Sequence, residues 1–309
     1  MNGNPKPTFF NRLAGFARFV FWGLLVFLLV MQFLGRGAVE AERDAALKAF
    51  QEARKSRAIA LIHRQDRVSF LGIPVASYIS IDDSEAVLRA IRLTPADQPI
   101  DLILHTPGGL VLASEQISRA LVDHKGKVTV FVPHYAMSGG MMIALAADEI
   151  VMDPNAVLGP VDPQVGGAPA ASIIKVVEQK PIERIADQTL ILADMSRKAV
   201  AQVQAFVTEL LAESGQMPKE KAAETAKVLT DGRWTHDFPI TARAARELGL
   251  KVNTSMPSEV YALMDLYPQA PGRRPTVLYV EPPQGMRESS GGDAPAPKPA
   301  APARPEPRK

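Results

Sequence analysis

Two short apolar runs, each broken by a pair of glycines, constrain this chain more than any other feature. Residues 100–104 end in His105-Thr-Pro-Gly-Gly109, and residues 128–132 lead through Pro133 into Tyr135-Ala-Met-Ser-Gly-Gly140. Continuous apolar runs this short, bounded by turn residues, read as strands buried on both faces. Between and around them the period changes. Residues 110–122 put Leu110, Ala113, Ile117 and Leu121 on one helical face, and residues 82–92 form a helix whose acidic first turn suits the helix dipole. Residues 58–63 and 149–152 read as further strands, and residues 138–147 as a helix. Strands alternating with helices at this spacing imply parallel βαβ units and an α/β core with a mostly parallel sheet. Two neighbouring strands, one ending in a Gly-Gly turn and one in a serine at a helix start, can build an acyl-transfer site.

A serine is a poor nucleophile unless it has a base, an oxyanion hole and a fixed position. Ser138 precedes Gly139-Gly140, where the lack of side chains lets a substrate backbone approach. If Ser138 opens a helix, the amide of Gly139 faces a developing oxyanion, and Gly108 and Gly109 can present a second amide from the neighbouring strand end. Spacing alone leaves Ser138 open between a nucleophile and an ordinary helix N-cap. The Gly-x-Ser-x-Gly elbow of hydrolases is absent, because Ala136 stands at the first glycine position.

The remainder divides by composition. Nothing is charged from Phe19 to Gly35, close to the lower limit for a spanning helix, so residues 19–35 are expected to be an uncleaved transmembrane anchor behind an N-terminal segment, residues 1–18. A cleaved signal peptide is the rival reading, disfavoured by the length of the run and the lack of a small-x-small site. Three basic residues precede the segment (Lys6, Arg12, Arg18) and three follow it (Arg36, Arg43, Lys48), which leaves its orientation open. Residues 36–57 read as a charged helical stalk or a solvated surface helix, with a thin apolar stripe of Ala46, Leu47 and Phe50. Beyond Gln164 come helices at residues 171–179, 182–211, 218–230, 241–248 and 258–266, with a turn-rich loop at 231–239. The Pro/Ala-rich tail, residues 268–309, lacks the apolar content to bury a core and is expected to be disordered. A net charge of +2 gives no signature of nucleic-acid binding, and the absence of cysteine excludes disulfides and thiolate chemistry.

Thr106-Pro-Gly-Gly109 followed by Tyr135-Ala-Met-Ser-Gly-Gly140 resembles the ClpP/SppA/crotonase superfamily. The longer stretches Ile100–Gly109, Val132–Gly140, Ala144–Asp153, Leu158–Gln164 and Trp234–Ile240 are similar to the SDH (serine dehydrogenase) proteinase family, over residues 58–267. That resemblance implies a ClpP/crotonase-like spiral of ββα units, a serine endopeptidase acting on polypeptides, and a homo-oligomer. It also implies Ser138 as nucleophile, with Gly109 and Gly139 supplying the oxyanion amides.

The base stays open. ClpP places its histidine shortly after the serine, where this chain reads Gly159-Pro-Val-Asp-Pro163. SppA-type relatives use a lysine before a long helix, and Lys180 occupies such a position, with Lys175 second and Lys198 read as a surface residue. A lysine serves as base only if burial or a nearby positive charge lowers its pKa. The alternative is His236 with Asp237, since Ala245-Arg-Glu-Leu-Gly-Leu250 matches the run that follows the triad aspartate of ClpP. Asp148, Asp153 and Asp162 flank turns and read as caps, Asp162 being the one expected nearest the site. His105 reads as a hydrogen-bonded core histidine, and no histidine has partners at metal-ligand spacing, so neither metal nor cofactor is expected. The reading is therefore a membrane-bound peptidase, with a non-catalytic membrane scaffold and crotonase-like acyl-CoA chemistry as the competing classes.

Overall fold

The computed structural model describes residues 9–63, 68–70, 73–75 and 78–267. The tail predicted for residues 268–309 lies outside them. The helices are α1 (Phe9–Arg54), α2 (Ile81–Arg92), α3 (Val111–Val122), α4 (Gly139–Leu145), α5 (Ala170–Gln179), α6 (Asp187–Glu213), α7 (Lys219–Thr230), α8 (Ala242–Glu247) and α9 (Ser258–Asp265). The strands are β1 (Arg57–Ile62), β2 (Val68–Phe70), β3 (Ile73–Val75), β4 (Ile100–His105), β5 (Val128–Val132), β6 (Tyr135–Ala136), β7 (Glu149–Met152), β8 (Val157–Leu158), β9 (Gln164–Val165), β10 (Ala168–Pro169), β11 (Ile240–Thr241) and β12 (Val252–Asn253).

The main sheet has the order β1-β4-β5-β7-β12, and all four pairings are parallel. Every residue of β4 and β5 is buried, as expected of strands covered on both faces. Alternate residues serve alternate layers. Leu102, Leu104, Val130 and Val132 face the larger core, which holds α2, α3, α4 and parts of α6, α7 and α8. Ile103, Phe131 and Val151 face a smaller core closed by α1 and α9.

The smaller core revises the reading of the stalk. One continuous helix, α1, spans both the predicted anchor and the predicted stalk. Its last turns are neither a free stalk nor a solvated surface helix: Phe50 is fully buried and meets Phe131 edge to face at 5.5 Å. Arg54 pairs with the buried Asp101 of β4, which also accepts the Ser56 hydroxyl at 2.6 Å, so the carboxylate in the core is compensated. Arg43 donates to the Leu266 carbonyl at 2.9 Å and lies over the Tyr267 ring. The helix stops at a left-handed Lys55 (φ 53°), with the Ser56 amide returning to the Gln51 carbonyl at 3.2 Å. Phe50→Ala is expected to cost about 3–5 kcal/mol, the usual range for emptying a buried phenylalanine site, measured by chemical denaturation.

Other boundaries follow the sequence closely, with one break. The helix expected from residue 182 starts as a short 3-10 turn, Ile182–Arg184, and α6 begins only at Asp187. Among the described residues no helix is long and apolar enough to cross a membrane. The predicted anchor falls partly on residues 29–35, whose side chains lie outside the described ones.

Candidate active site

A second, three-stranded sheet in the order β11-β8-β6 assembles the site. β6 and β8 run parallel, and β11 runs antiparallel to β8. The chain therefore leaves β6 and β8, and enters β11, at one end of this small sheet. Ser138 lies two residues beyond β6, Asp162 four beyond β8, and His236 four before β11. The topology brings three loops from distant parts of the sequence to one sheet end, where the side chains of Asp162 and His236 meet. β6 is tied in turn to the end of β4, because Thr106 bridges to Ala136.

Ser138 is not an N-cap in the ordinary sense. Its side chain makes no cap hydrogen bond, and its backbone sits at φ 51°, ψ −118°. Among the described residues only Lys55 shares a positive φ without being glycine. A side chain in that region is strained, and such strain persists where the surrounding structure imposes it. The hydroxyl is thus not engaged in capping the helix it precedes. The result matches the strained strand-to-helix turn of the hydrolase elbow although the elbow's first glycine is missing.

The two glycine amides are left free for identifiable reasons. The Gly108 carbonyl accepts from the Ile79 amide at 2.8 Å, and across a trans peptide the Gly109 N–H then points away from Ile79. The Ser138 carbonyl accepts from the Met142 amide at 3.2 Å inside the helix, so the Gly139 N–H points out of the helix start. Neither amide donates to any acceptor among the described residues. A Cβ on Gly139 would lie 3.6 Å from the Gly109 nitrogen and would collide with Ser114, so glycine is required at the junction. Gly108 (φ 104°) is equally constrained: a Cβ there would sit 2.8 Å from both the Met137 oxygen and the Ser138 Cβ. Two free backbone donors close to a serine are what an oxyanion hole requires.

His236 lies in a tight turn, closed by the Phe238 amide donating to the Thr235 carbonyl at 3.0 Å. Trp234 and Phe238 stack across the turn at 4.9 Å, with ring planes 3° apart. His236 Nδ1 sits 2.7 Å from Asp162 Oδ1. A carboxylate only accepts, so the proton is on Nδ1 and the Nε2 lone pair is left free. Gln164 Nε2 donates to the other carboxylate oxygen, Asp162 Oδ2, at 2.7 Å and fixes its plane. The Asp162 side chain is 3% exposed, whereas His236 is 36% exposed, so the pair is anchored at its acidic end and open at its basic end. The hydrogen bond to Asp162 raises the His236 pKa above its ordinary value; burial opposes the rise, and the charges of Asp162 and Asp237 reinforce it.

The pairing sorts the sequence candidates. His236 is bonded to Asp162, and Asp237 acts on it only through space. Asp148 and Asp153 are caps as expected, accepting from the Val128 and Asn155 amides. Asp162, read with them as a cap but as the one nearest the site, instead bonds to the histidine. Lys180 ends α5 and is exposed, as is Lys175, so the burial that would suit a lysine base is missing at both. His105 is buried in a stack with His134 and Tyr135. Among the described residues no group of three or more His, Asp and Glu side chains could hold a metal ion.

The model of the ClpP-like SDH-type serine proteinase family matches residues 8–293. The chain belongs to this family. It is 53% identical over 272 residues to the uncharacterized protein MJ1495 of Methanocaldococcus jannaschii, covering 87% of this chain and 92% of that one. Identity to the uncharacterized protein MJ0137 of the same organism is also 53%, over 280 residues, covering 90% and 96%. Among solved structures, the 1510-N membrane-bound stomatin-specific protease aligns with 60% of this chain and 79% of its own, at 21% identity and a TM-score of 0.42. The architecture is the mixed α/β, ClpP-like fold of the SDH-type proteinases, and polypeptides are the substrate class that the family implies.

Proposed function

We propose that the chain is a membrane-anchored serine endopeptidase with a Ser138–His236–Asp162 triad. His236 Nε2 takes the proton from Ser138 Oγ as the oxygen attacks a peptide carbonyl. The amides of Gly109 and Gly139 stabilise the resulting oxyanion. His236 then returns the proton to the leaving amine, and water hydrolyses the acyl-enzyme by the same route in reverse. The observation that carries this reading is the 2.7 Å His236–Asp162 bond at the sheet end that also holds the strained Ser138. It favours His236 over Lys180 as base and Asp162 over Asp237 as its partner.

The anchor half rests on α1. Phe19, Phe21, Trp22, Leu24, Phe27 and Leu28 are all exposed on this helix, an apolar surface that water disfavours and a bilayer accepts. Fusion of that helix to the back of the catalytic sheet holds the site near the bilayer and raises its effective concentration toward membrane-borne polypeptides. A homo-oligomer, the habit implied by the fold, completes the proposal.

The test is labelling of the full chain, in its membrane, with a fluorophosphonate probe. Labelling is expected at Ser138 alone, with the protein retained in the pellet after an alkaline carbonate wash. An unlabelled wild type would remove the peptidase reading, and release by carbonate would remove the anchor.

A further inference from the structure

Thr106 stands between the two halves of the oxyanion hole and touches both. Its main chain pairs with the strand leading to Ser138: the Thr106 amide donates to the Tyr135 carbonyl at 3.2 Å, and the Met137 amide donates to the Thr106 carbonyl at 3.0 Å. Its hydroxyl reaches the other half, where Oγ1 accepts the Gly108 amide at 3.1 Å. The hydroxyl is fully buried and has a further partner, His63 Nδ1, at 2.9 Å. His63 is buried too, and its Nε2 faces Asp83 Oδ2 at 3.4 Å. Asp83 is fixed in turn by the capping box of α2, accepting the Ser80 amide at 2.7 Å.

Proton counting gives this chain a favoured direction. Asp83 only accepts, so the tautomer that suits its 3.4 Å approach to His63 Nε2 carries the proton there and leaves Nδ1 as an acceptor. The Thr106 O–H then donates to Nδ1, nearer than the alternative acceptor, the Gly108 carbonyl at 3.4 Å. That leaves the Thr106 oxygen lone pairs for the Gly108 N–H. The Gly108 carbonyl is meanwhile held by Ile79, so both peptides flanking Gly108 are clamped from opposite sides. The peptide whose N–H forms one arm of the oxyanion hole is the second of these.

We infer that Thr106 is a positioning residue for the oxyanion hole, its hydroxyl oriented by His63 and Asp83 so that the Gly109 amide is aimed before substrate arrives. Preorganised donors lose no reorganisation energy as charge develops, and loss of a whole donor costs about 10²–10³ in rate. A donor present but misaimed forfeits part of that. Thr106 touches no reacting atom, so its contribution falls on the covalent step and leaves binding alone. The inference rests on the peptidase reading, because it needs a Ser138 that reacts.

The experiment follows fluorophosphonate labelling of the full-length protein in time, separating the maximal rate from the half-saturating probe concentration. In that reaction the Ser138 oxygen–phosphorus bond forms, the phosphorus–fluorine bond breaks, fluoride leaves and the serine proton goes to the base. Thr106→Val keeps the volume and removes the hydroxyl; its maximal rate is expected to fall about 10–100-fold, with half-saturation unchanged. Thr106→Ser is expected to stay within about threefold of wild type, and His63→Ala to fall between the two. A thermal melt of each variant reports folding separately, and His63→Ala carries the test if Thr106→Val does not fold. Equal rates for wild type and Thr106→Val would overturn the inference and spare the peptidase reading, as would equal impairment of the Val and Ser variants. A wild type that does not label would overturn both.

Discussion

Ser138→Ala is expected to abolish peptide hydrolysis and probe labelling, a loss of about 10⁴-fold or more, while the protein stays folded. Ser138 has no substitute among its neighbours: Met137 cannot attack, and Gly139 and Gly140 bring only backbone. The same position yields a second, opposite result. Ser138 holds φ 51° and ψ −118°, a backbone state that a Cβ resists and glycine adopts freely. Alanine keeps that strain and glycine relieves it. Ser138→Gly is therefore expected to exceed Ser138→Ala in stability by about 1–3 kcal/mol, read from paired denaturant melts, although both are inactive. Glycine no more stable than alanine would mean that the position is unstrained. Residual hydrolysis by either variant near the wild-type level would remove Ser138 from the mechanism altogether.

Sequence patterning reached the main sheet because its strands are continuous apolar runs. β4, β5 and β7 have no exposed residue, and burial on both faces leaves a run that composition alone reveals. It also singled out Ser138, Gly109 and Gly139 as site candidates, since each lies just beyond such a run. It did not reach the small sheet β11-β8-β6. Two-residue strands carry no periodicity, and what fixes them is pairing across the fold, such as Ile240 with Leu158 and Tyr135 with Val157. The base was ambiguous for the same reason. Asp162 and His236 are 74 residues apart and adjoin only because that sheet forms, whereas Asp237 is next to His236 in sequence and was the natural guess. In the turn from Thr235 to Phe238 the ring bonds to Asp162, while Asp237 acts on it through its charge alone. The back layer was hidden for another reason. The stripe of Ala46, Leu47 and Phe50 is too thin to announce a core helix, but Arg54 meets the buried Asp101 and Phe50 fills the space against Phe131.

Asp162→Asn is expected to lower the catalytic rate by about 10⁴-fold, the scale on which a triad suffers when its imidazole is held in the wrong tautomer. An asparagine amide donates to Nδ1, which moves the ring proton to Nε2 and removes the lone pair that would accept the serine proton. The pH profile separates this from a collapse of the site. Only neutral His236 can act as base, so kcat/KM is expected to rise with pH through the histidine pKa. The Asp162 hydrogen bond raises that pKa, so the acid limb of wild type should lie above the ordinary histidine value of about 6.5. In Asp162→Asn the residual activity should have its limb at lower pH. Asp237→Asn, which removes only a through-space charge, should move the limb slightly the same way and keep the rate within about threefold of wild type. Lys180→Ala should leave both rate and limb where they are; a collapse there would return the base to lysine. Stability runs against activity across this window. A histidine whose folded pKa is raised contributes its full stabilisation below the unfolded value and loses it as pH climbs through the folded one. The His236–Asp162 pair therefore braces the fold best at the acid pH where its imidazolium cannot act as base, and loosens as the base form appears. Melting temperature and kcat/KM should move in opposite directions with pH in wild type, and the local part of that opposition should vanish in Asp162→Asn.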